Sequence, residues 1–324
     1  MRIVIASTYV PFRKGGELTV VHHLAAALSA RAYQVETVLV PLDSQRPAIM
    51  EETLAIRSLD LTESSGNKID LLITLRTPAH AIRHPNKVAW CCQHHRRPGF
   101  DVCYLPEAKR IYANSKAVAK RLNQSSGIDA HGVVYPCLFQ PERFYSADFG
   151  DYFLYVSRLY PCKRQALAIQ AMKYVRSPFR LVLAGQAEPA AYAAELQRLV
   201  RLLDLEDRVQ LLGWVSDEEK ATLLANACAA LYLPTDADSC GYATLEAFQA
   251  RKPVITLADS GGPTEVIEDA FNGLIVEPQA EALAAAMEKL WAAKMKAALM
   301  GRNAFDTIRL HNIGWERVLE ALVA

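Results

Sequence analysis

The sequence predicts an α/β protein built from two domains, each with a parallel sheet. Short apolar runs alternate with helical patterns along the whole chain, as expected for repeated βαβ units. The length of 324 residues suits two domains, since a domain takes about 150 residues. The stretch from Pro136 to Gly150 is rich in turn-forming residues and reads as a linker. We therefore expect domains over 1–145 and 146–324 that face each other across a cleft.

In the first half, apolar runs of four to six residues predict buried strands. Apolar residues at helical spacing after the first run predict a helix, namely Leu18, Val21, Leu24, Ala25 and Leu28. A second helix is expected over Ser115–Leu122. The strands are expected at Ile3–Ser7, Val35–Val40, Asp70–Leu75, Lys87–Cys91, Arg110–Asn114 and His131–Tyr135.

The second half repeats the same alternation. Ser216 and Glu219 stand three apart at a predicted helix start and form a capping-box pattern. A last helix near Trp315–Val323, within a segment of about 304–324, is expected to cross back to the first domain. Strands are predicted at Tyr152–Ser157, Arg180–Ala184, Val209–Leu212, Ala229–Leu233, Pro253–Leu257 and Gly273–Val276, and helices at 163–175, 189–203, 217–227, 241–250, 263–269 and 279–291.

The composition narrows the class of protein. About half of the residues are apolar, which excludes a disordered chain, and no apolar run is long enough to span a bilayer. The seven scattered cysteines form neither a disulfide framework nor a zinc pattern, so we expect a reducing, cytoplasmic location. Residues 1–145 carry 18 Lys/Arg against 12 Asp/Glu. This surplus of positive charge either indicates peripheral contact with an anionic surface, such as the inner face of a membrane, or has no functional significance.

Open parallel sheets bind ligands beyond the carboxyl ends of their strands, so the loops after strands are the candidate sites. Gly15 and Gly16 follow the first strand and open a helix, where backbone N–H groups are free to bind an anion. Arg158 and Lys163 flank a loop after the strand at Tyr152–Ser157. These two cations either converge on one pair of phosphates or are ordinary exposed side chains.

Three further loops carry polar residues or glycine pairs. Asp238, Gly241 and Glu246 surround a helix start, where an acid can accept both hydroxyls of a ribose. Ser260–Glu265 brings a second glycine pair to another helix start. Trp90–Arg97 follows a buried strand and carries His94 and His95, which can donate or carry protons near neutral pH.

Together these segments resemble the retaining glycosyltransferases of the GT-B fold, family 4, also called group 1. The resemblance covers nearly the whole chain and is strongest from Tyr152 to about Glu288. YVSRLYPCKRQALAIQAMKYV is similar to the family's donor-phosphate loop and the helix after it. DADSCGYATLEAFQARKPVITLADSGGPTEVIEDAFNGLIVEP is similar to its block of two acids separated by seven residues. In this chain Asp238 stands where the family usually has Glu.

The resemblance implies a role for each candidate residue. Arg158 and Lys163 would bind the donor diphosphate in place of a metal, and Glu246 would hold the ribose. Asp238 would hold the transferred sugar together with the backbone amides near Cys240, Gly241 and Tyr242. Thr244 and Leu245 would complete the donor-binding block. In the first domain, Gly15 or Gly16 would contact the phosphates. Either His94 or His95 would contact the sugar.

The resemblance therefore implies transfer of a sugar from a nucleoside diphosphate sugar to a glycan, a lipid-linked or a small-molecule acceptor, with retention of configuration. No cofactor, metal ion or nucleic acid is expected. Two alternatives stay open at this stage. One is a degenerate relative that binds a nucleotide sugar and scaffolds a partner transferase. The other is a sugar-nucleotide epimerase of the same fold.

Overall fold

The computed structural model describes residues 1–11, 16–42, 49–92, 102–235 and 241–323. The chain divides into two compact units. The first comprises Met1–Phe139 and Ile313–Ala324, and the second comprises Gln140–Asn312. The division predicted from the sequence lies between residues 145 and 146. The segment after Gln140 belongs to the second unit because it docks there: Arg143 lies 3.8 Å from Asp217, and the N–H of Ala147 donates to the Ala225 carbonyl at 3.1 Å.

The first unit contains a parallel six-stranded sheet in the order β2-β1-β5-β6-β7-β8. Its helices are α1 (Gly16–Ser29), α2 (Ile49–Arg57) and α3 (Lys116–Ser126), and α10 (Trp315–Val323) from the end of the chain joins them. The strands are β1 (Arg2–Tyr9), β2 (Gln34–Pro41), β3 (Glu63–Ser64), β4 (Asn67–Lys68), β5 (Leu71–Thr74), β6 (Lys87–Cys91), β7 (Arg110–Ala113) and β8 (Gly132–Val133); β3 and β4 form a separate antiparallel hairpin.

The second unit contains another parallel six-stranded sheet, in the order β11-β10-β9-β12-β13-β14. Its strands are β9 (Tyr152–Val156), β10 (Arg180–Ala184), β11 (Val209–Gly213), β12 (Ala229–Leu231), β13 (Val254–Leu257) and β14 (Gly273–Val276). Its helices are α4 (Gln165–Met172), α5 (Ala191–Leu202), α6 (Asp217–Asn226), α7 (Tyr242–Gln249), α8 (Ala280–Ala292) and α9 (Lys294–Leu310).

The predicted fold class, two parallel-sheet α/β units, is confirmed. The capping box is present as predicted, since the Ser216 hydroxyl accepts from the Glu219 N–H and the Glu219 carboxylate accepts from the Ser216 N–H. The segment 304–324 is not one helix: α9 ends at Leu310 in the second unit and α10 begins at Trp315 in the first. There the indole of Trp315 donates to the Leu138 carbonyl at 3.0 Å. Among the described residues, no helix is both long and apolar enough to cross a bilayer.

The helix predicted over 263–269 is wrong. Only a short 3-10 helix, Gly262–Glu265, forms there. The side chain of Asn272 takes the backbone groups that a longer helix would use. Its Oδ1 accepts from the Glu268 N–H at 2.8 Å, and its Nδ2 donates to the Val266 carbonyl at 2.9 Å. A side chain that pairs with nearby backbone groups in this way competes with helix formation.

Candidate functional site

The order of the second sheet locates its binding edge. Counted along the chain, its strands lie in the order 3-2-1-4-5-6, so the direction of chain connection reverses between β9 and β12. A ligand binds at the carboxyl ends of the strands beside such a reversal. The loops after β9 and β12 are therefore the candidate site, and the loop after β10 adjoins them.

Lys163 lies at this reversal. It ends a 3-10 helix, Pro161–Lys163, directly after β9, and its side chain is buried. Its Nζ donates to the hydroxyl of Tyr232 at 3.2 Å and lies 5.2 Å from the centre of that ring. Tyr232 follows β12, so this contact joins the two loops that flank the reversal.

Gly241 packs against the same tyrosine. It has φ +74° and precedes the first residue of α7. A Cβ atom at this position would lie 2.7 Å from Cζ and 2.8 Å from the hydroxyl oxygen of Tyr232, so the space requires a glycine. The ammonium of Lys163 and the start of α7 thus meet at one side chain. A cation beside a helix N-terminus is an arrangement that binds anions.

Hydrogen bonds and an ion pair fix the loop that carries Lys163 after β9. The hydroxyl of Tyr155 donates to the Lys163 carbonyl and accepts from the Leu233 N–H at 3.0 Å. Arg164 donates its Nε to the Leu233 carbonyl at 2.8 Å and pairs with Asp259 at 2.9 Å. These residues tie the loop to the end of β12, a role that the sequence analysis did not assign to them.

Arg158 faces the opposite side of β9. Its guanidinium pairs with Glu188 at 2.9 Å and lies over the ring of Tyr160 at 5.1 Å. Glu188 follows β10, whereas Tyr232 follows β12. The structure therefore places the two predicted phosphate ligands at one sheet edge but directs them to different partners. Sequence spacing did not indicate the pairing with Glu188.

A groove of about 340 Å³, lined in part by Leu159, lies at the carboxyl ends of β10 and β11. Backbone at Gly185 and Gly213 and the indole of Trp214 contribute to its walls. Gly185 admits no side chain, because a Cβ there would overlap the Ser157 carbonyl group. The lining is mainly aliphatic, with Gln186 and Gln197 as its polar side chains and Trp214 as its aromatic one.

Glu246 lies on α7 and is buried, with 8% of its surface exposed. Its Oε1 accepts from the Nζ of Lys220 at 2.7 Å. Lys220 lies on α6 and also pairs with Asp217 at 3.0 Å. Burial by itself lowers the pKa of Lys220, but the Glu246 and Asp217 carboxylates outweigh it and raise that pKa above its ordinary value. Lys220 was not predicted from the sequence, because it lies far from Glu246 along the chain.

The other predicted residues of this block occupy different environments. Tyr242 begins α7 and is half-buried, whereas the side chain of Leu245 belongs to the core. Thr244 is fully buried, and its hydroxyl has no hydrogen-bond partner among the described residues. Gly16 begins α1. The predicted residues Gly15, His94, His95, Asp238 and Cys240 lie outside the described part of the chain.

The carboxyl edge of the first sheet is also polar and buried. The Thr74 hydroxyl at the end of β5 contacts Nδ1 of His80 at 2.8 Å, and the Thr8 hydroxyl donates to the Thr77 carbonyl at 3.5 Å. Asn114, directly after β7, donates to the Cys92 carbonyl at 2.9 Å. No group of three or more possible metal ligands occurs among the residues that the structure describes.

Comparison with known proteins identifies the family of the chain. The family model described as "Glycosyl transferases group 1" matches residues 143–307, just over half of the chain and nearly all of the second unit. The chain belongs to the group 1 glycosyl transferases. The resemblance drawn from the sequence is confirmed at the level of this family.

Curated relatives of this group 1 glycosyl transferase match parts of it. Alpha-1,3/1,6-mannosyltransferase ALG2 of Homo sapiens is 30% identical over 161 residues, which is 46% of this chain and 38% of that protein. The D-inositol 3-phosphate glycosyltransferase of Kineococcus radiotolerans is 29% identical over 245 residues, 66% of this chain and 56% of that protein. The chain spans between 28% and 56% of the length of the curated relatives it matches.

Solved structures match over almost the full length. Anabaena HepE in complex with UDP has a TM-score of 0.76 at 20% identity and covers 99% of both chains. Sucrose-phosphate synthase from Thermosynechococcus elongatus has a TM-score of 0.81 at 19% identity and covers 98% of this chain and 96% of its own. At these identities the likeness establishes the fold, and it confirms the predicted GT-B class.

Proposed function

We propose that this glycosyltransferase moves a sugar from a nucleoside diphosphate sugar to an acceptor with retention of configuration and without a metal ion. The observation that carries the proposal is the meeting of Lys163 and the start of α7 at Tyr232, where the order of the sheet reverses. This arrangement offers a cationic side chain and the N-terminus of a helix to one anion. A departing nucleoside diphosphate is the anion that glycosyl transfer creates, and groups already in place stabilise it well.

Other residues of the second unit suit the diphosphate, the base and the ribose of the donor. Arg158 adds a forked cation that suits a diphosphate. The groove at the carboxyl ends of β10 and β11, lined in part by Leu159 and Trp214, suits the base, and the Glu246 carboxylate suits the ribose hydroxyls. Solved complexes of HepE with UDP and with UDP-glucose support this class of donor. The roles of Asp238 on the sugar, of His94 or His95, and of Gly15 or Gly16 rest on the resemblance alone.

The acceptor is a glycan or a lipid-linked sugar in this proposal. The name of the ALG2 relatives, a mannosyltransferase, supports a hexose as the transferred sugar. The surplus of basic residues over 1–145 supports peripheral contact of the first half with an anionic membrane surface.

The test is donor turnover by the purified protein. A thermal-shift screen of UDP, GDP and ADP, and of their sugars, first identifies the donor, because a ligand that binds only the folded state raises Tm. Transfer and slow hydrolysis of that donor are then measured, with product anomer identified by NMR. We expect retention, and we expect EDTA to leave the rate unchanged. Binding without transfer or hydrolysis with any acceptor would instead identify a scaffold.

Matched variants test the phosphate assignment. Lys163→Ala and Arg158→Ala should each abolish transfer while leaving the fold intact. Arg180→Ala is the control, since Arg180 forms the same kind of ion pair with Asp151, at 2.9 Å, at the opposite edge of the same sheet. Full activity of Lys163→Ala or Arg158→Ala would overturn the assignment of that residue.

A further inference from the structure

Lys220 and Glu246 form a buried ion pair, and the proposed donor site gives a role to Glu246 but none to Lys220. The two side chains come from different helices, α6 and α7, and are largely buried, with 18% and 11% of their side-chain surfaces exposed. A distance of 2.7 Å marks a charge-assisted hydrogen bond. A buried carboxylate is costly without such a partner, so this lysine is what keeps a charged acid at this place in α7.

Only one of the two carboxylate oxygens of Glu246 accepts a hydrogen bond from the described residues. Oε1 accepts from Lys220, while Oε2 accepts no hydrogen bond from the described residues. The lysine is itself held from two further sides. Asp217 pairs with its ammonium at 3.0 Å, and the ring of Phe144 lies 5.5 Å from it. An acid fixed through one oxygen presents the other at a constant position to a hydroxyl group.

We infer that Lys220 is a positioning residue that orients the Glu246 carboxylate so that it distinguishes ribose from deoxyribose in the donor nucleotide. This inference rests on the proposed function, in which Glu246 accepts the ribose hydroxyls. Lys220 itself does not touch the sugar. It acts by fixing the rotamer of Glu246 through their 2.7 Å hydrogen bond, and a charge-assisted hydrogen bond is about twice as strong as a neutral one.

The experiment measures a ratio of affinities by calorimetry. Each probe is a nucleoside diphosphate, UDP, GDP or ADP, compared with its own 2′-deoxy analogue. For the unaltered protein we expect the deoxy analogue to bind about tenfold or more weakly, the loss of one hydrogen bond to a charged group. In Lys220→Met we expect the two affinities to agree within about threefold. Lys220→Arg, which restores a cationic donor, should recover most of the discrimination.

Asp217→Asn is the matched control, because it removes the other carboxylate from the same ammonium and leaves Glu246 in place. We expect its ratio to stay at about tenfold. A merely structural role for Lys220 would weaken the binding of both probes equally, so an unchanged ratio in folded Lys220→Met overturns the inference. If Lys220→Met does not fold, Lys220→Gln decides in the same way, since it keeps a neutral donor and should show a reduced ratio.

Glu246→Ala separates this inference from the proposed function. If Glu246→Ala keeps the tenfold ratio, Glu246 does not bind the ribose hydroxyls. The ribose assignment and the inference about Lys220 then both fail. If Glu246→Ala loses the ratio while Lys220→Met keeps it, the ribose assignment stands and only the role of Lys220 is overturned. Loss of the ratio in both variants, with recovery in Lys220→Arg, supports both.

Discussion

Substitution of Gly241 by Ala tests the meeting of Lys163 and the start of α7 directly. The position has φ +74°, a conformation that costs a residue with a side chain about 1–3 kcal/mol. The new methyl would also lie 2.7 Å from Cζ of Tyr232. Because carbon atoms pack at about 3.5–4.0 Å, the ring or the helix start must move by roughly an ångström. Either movement separates the ammonium of Lys163 from the N–H groups of α7.

The expected cost to binding follows from that separation. A hydrogen bond between a charged group and its partner contributes about 1.5–3 kcal/mol, which corresponds to a factor of about ten to a hundred in Kd. We therefore expect Gly241→Ala to bind the nucleoside diphosphate of the donor at least about tenfold more weakly by calorimetry. Its Tm should also fall, by about 2–4 °C for each kcal/mol of lost stability.

Gly66→Ala is the control for the backbone effect alone. Gly66 has the same φ of +74° and lies in the turn between β3 and β4, and a Cβ atom added there would have nothing within 4 Å. The substitution should lower Tm without changing Kd. If folded Gly241→Ala binds the nucleoside diphosphate as tightly as the unaltered protein, the anion is not held at this helix start and the reasoning is refuted.

Three other outcomes are expected. Ser216→Ala removes the capping hydroxyl of α6 and should cost about 1 kcal/mol, seen as a Tm lower by about 2–4 °C; no change in Tm would show that the cap is dispensable. Burial lowers the pKa of Lys252 to about 8, so the unfolded chain binds more protons than the folded chain from about pH 8 to about pH 10. The stability contributed by this residue therefore rises over that interval, and thermal melts of Lys252→Met should lack that rise. Glu188→Gln removes a negative charge beside Arg158 and should tighten nucleoside diphosphate binding by up to about fivefold; weaker binding would contradict this.

The sequence was sufficient for the features that depend on neighbouring residues. Alternating apolar runs located the strands of both sheets, and Ser216 with Glu219 located a helix start. Lys163 and Gly241 were predicted as site residues because they lie in loops that follow strands and in segments that resemble the family's donor-binding motifs. The chain order then places those loops at the carboxyl edge of a parallel sheet.

Features that depend on distant residues were missed or misjudged. Lys220 resembles any lysine on the exposed face of a helix until α6 packs against α7 and brings it to Glu246. The helix predicted over 263–269 fails because Asn272, beyond its end, takes its backbone groups. The family model, which covers residues 143–307, supplied the assignment that no single motif carried.

Arg158 and Lys163 stand five residues apart in the sequence and look equivalent there, but the sheet makes them different. β9 lies between β10 and β12, so one side chain turns towards Glu188 and the other towards Tyr232. The pair of Arg158 and Glu188 is about a third exposed on each side, and such pairs contribute at most about 1 kcal/mol. A diphosphate offers the guanidinium two parallel charge-assisted hydrogen bonds, which are stronger. If the proposed function holds, a diphosphate would therefore draw Arg158 away from Glu188, whereas Lys163 already lies at Tyr232 beside the start of α7. We propose on this ground that the two cations act in sequence rather than as a preformed clamp.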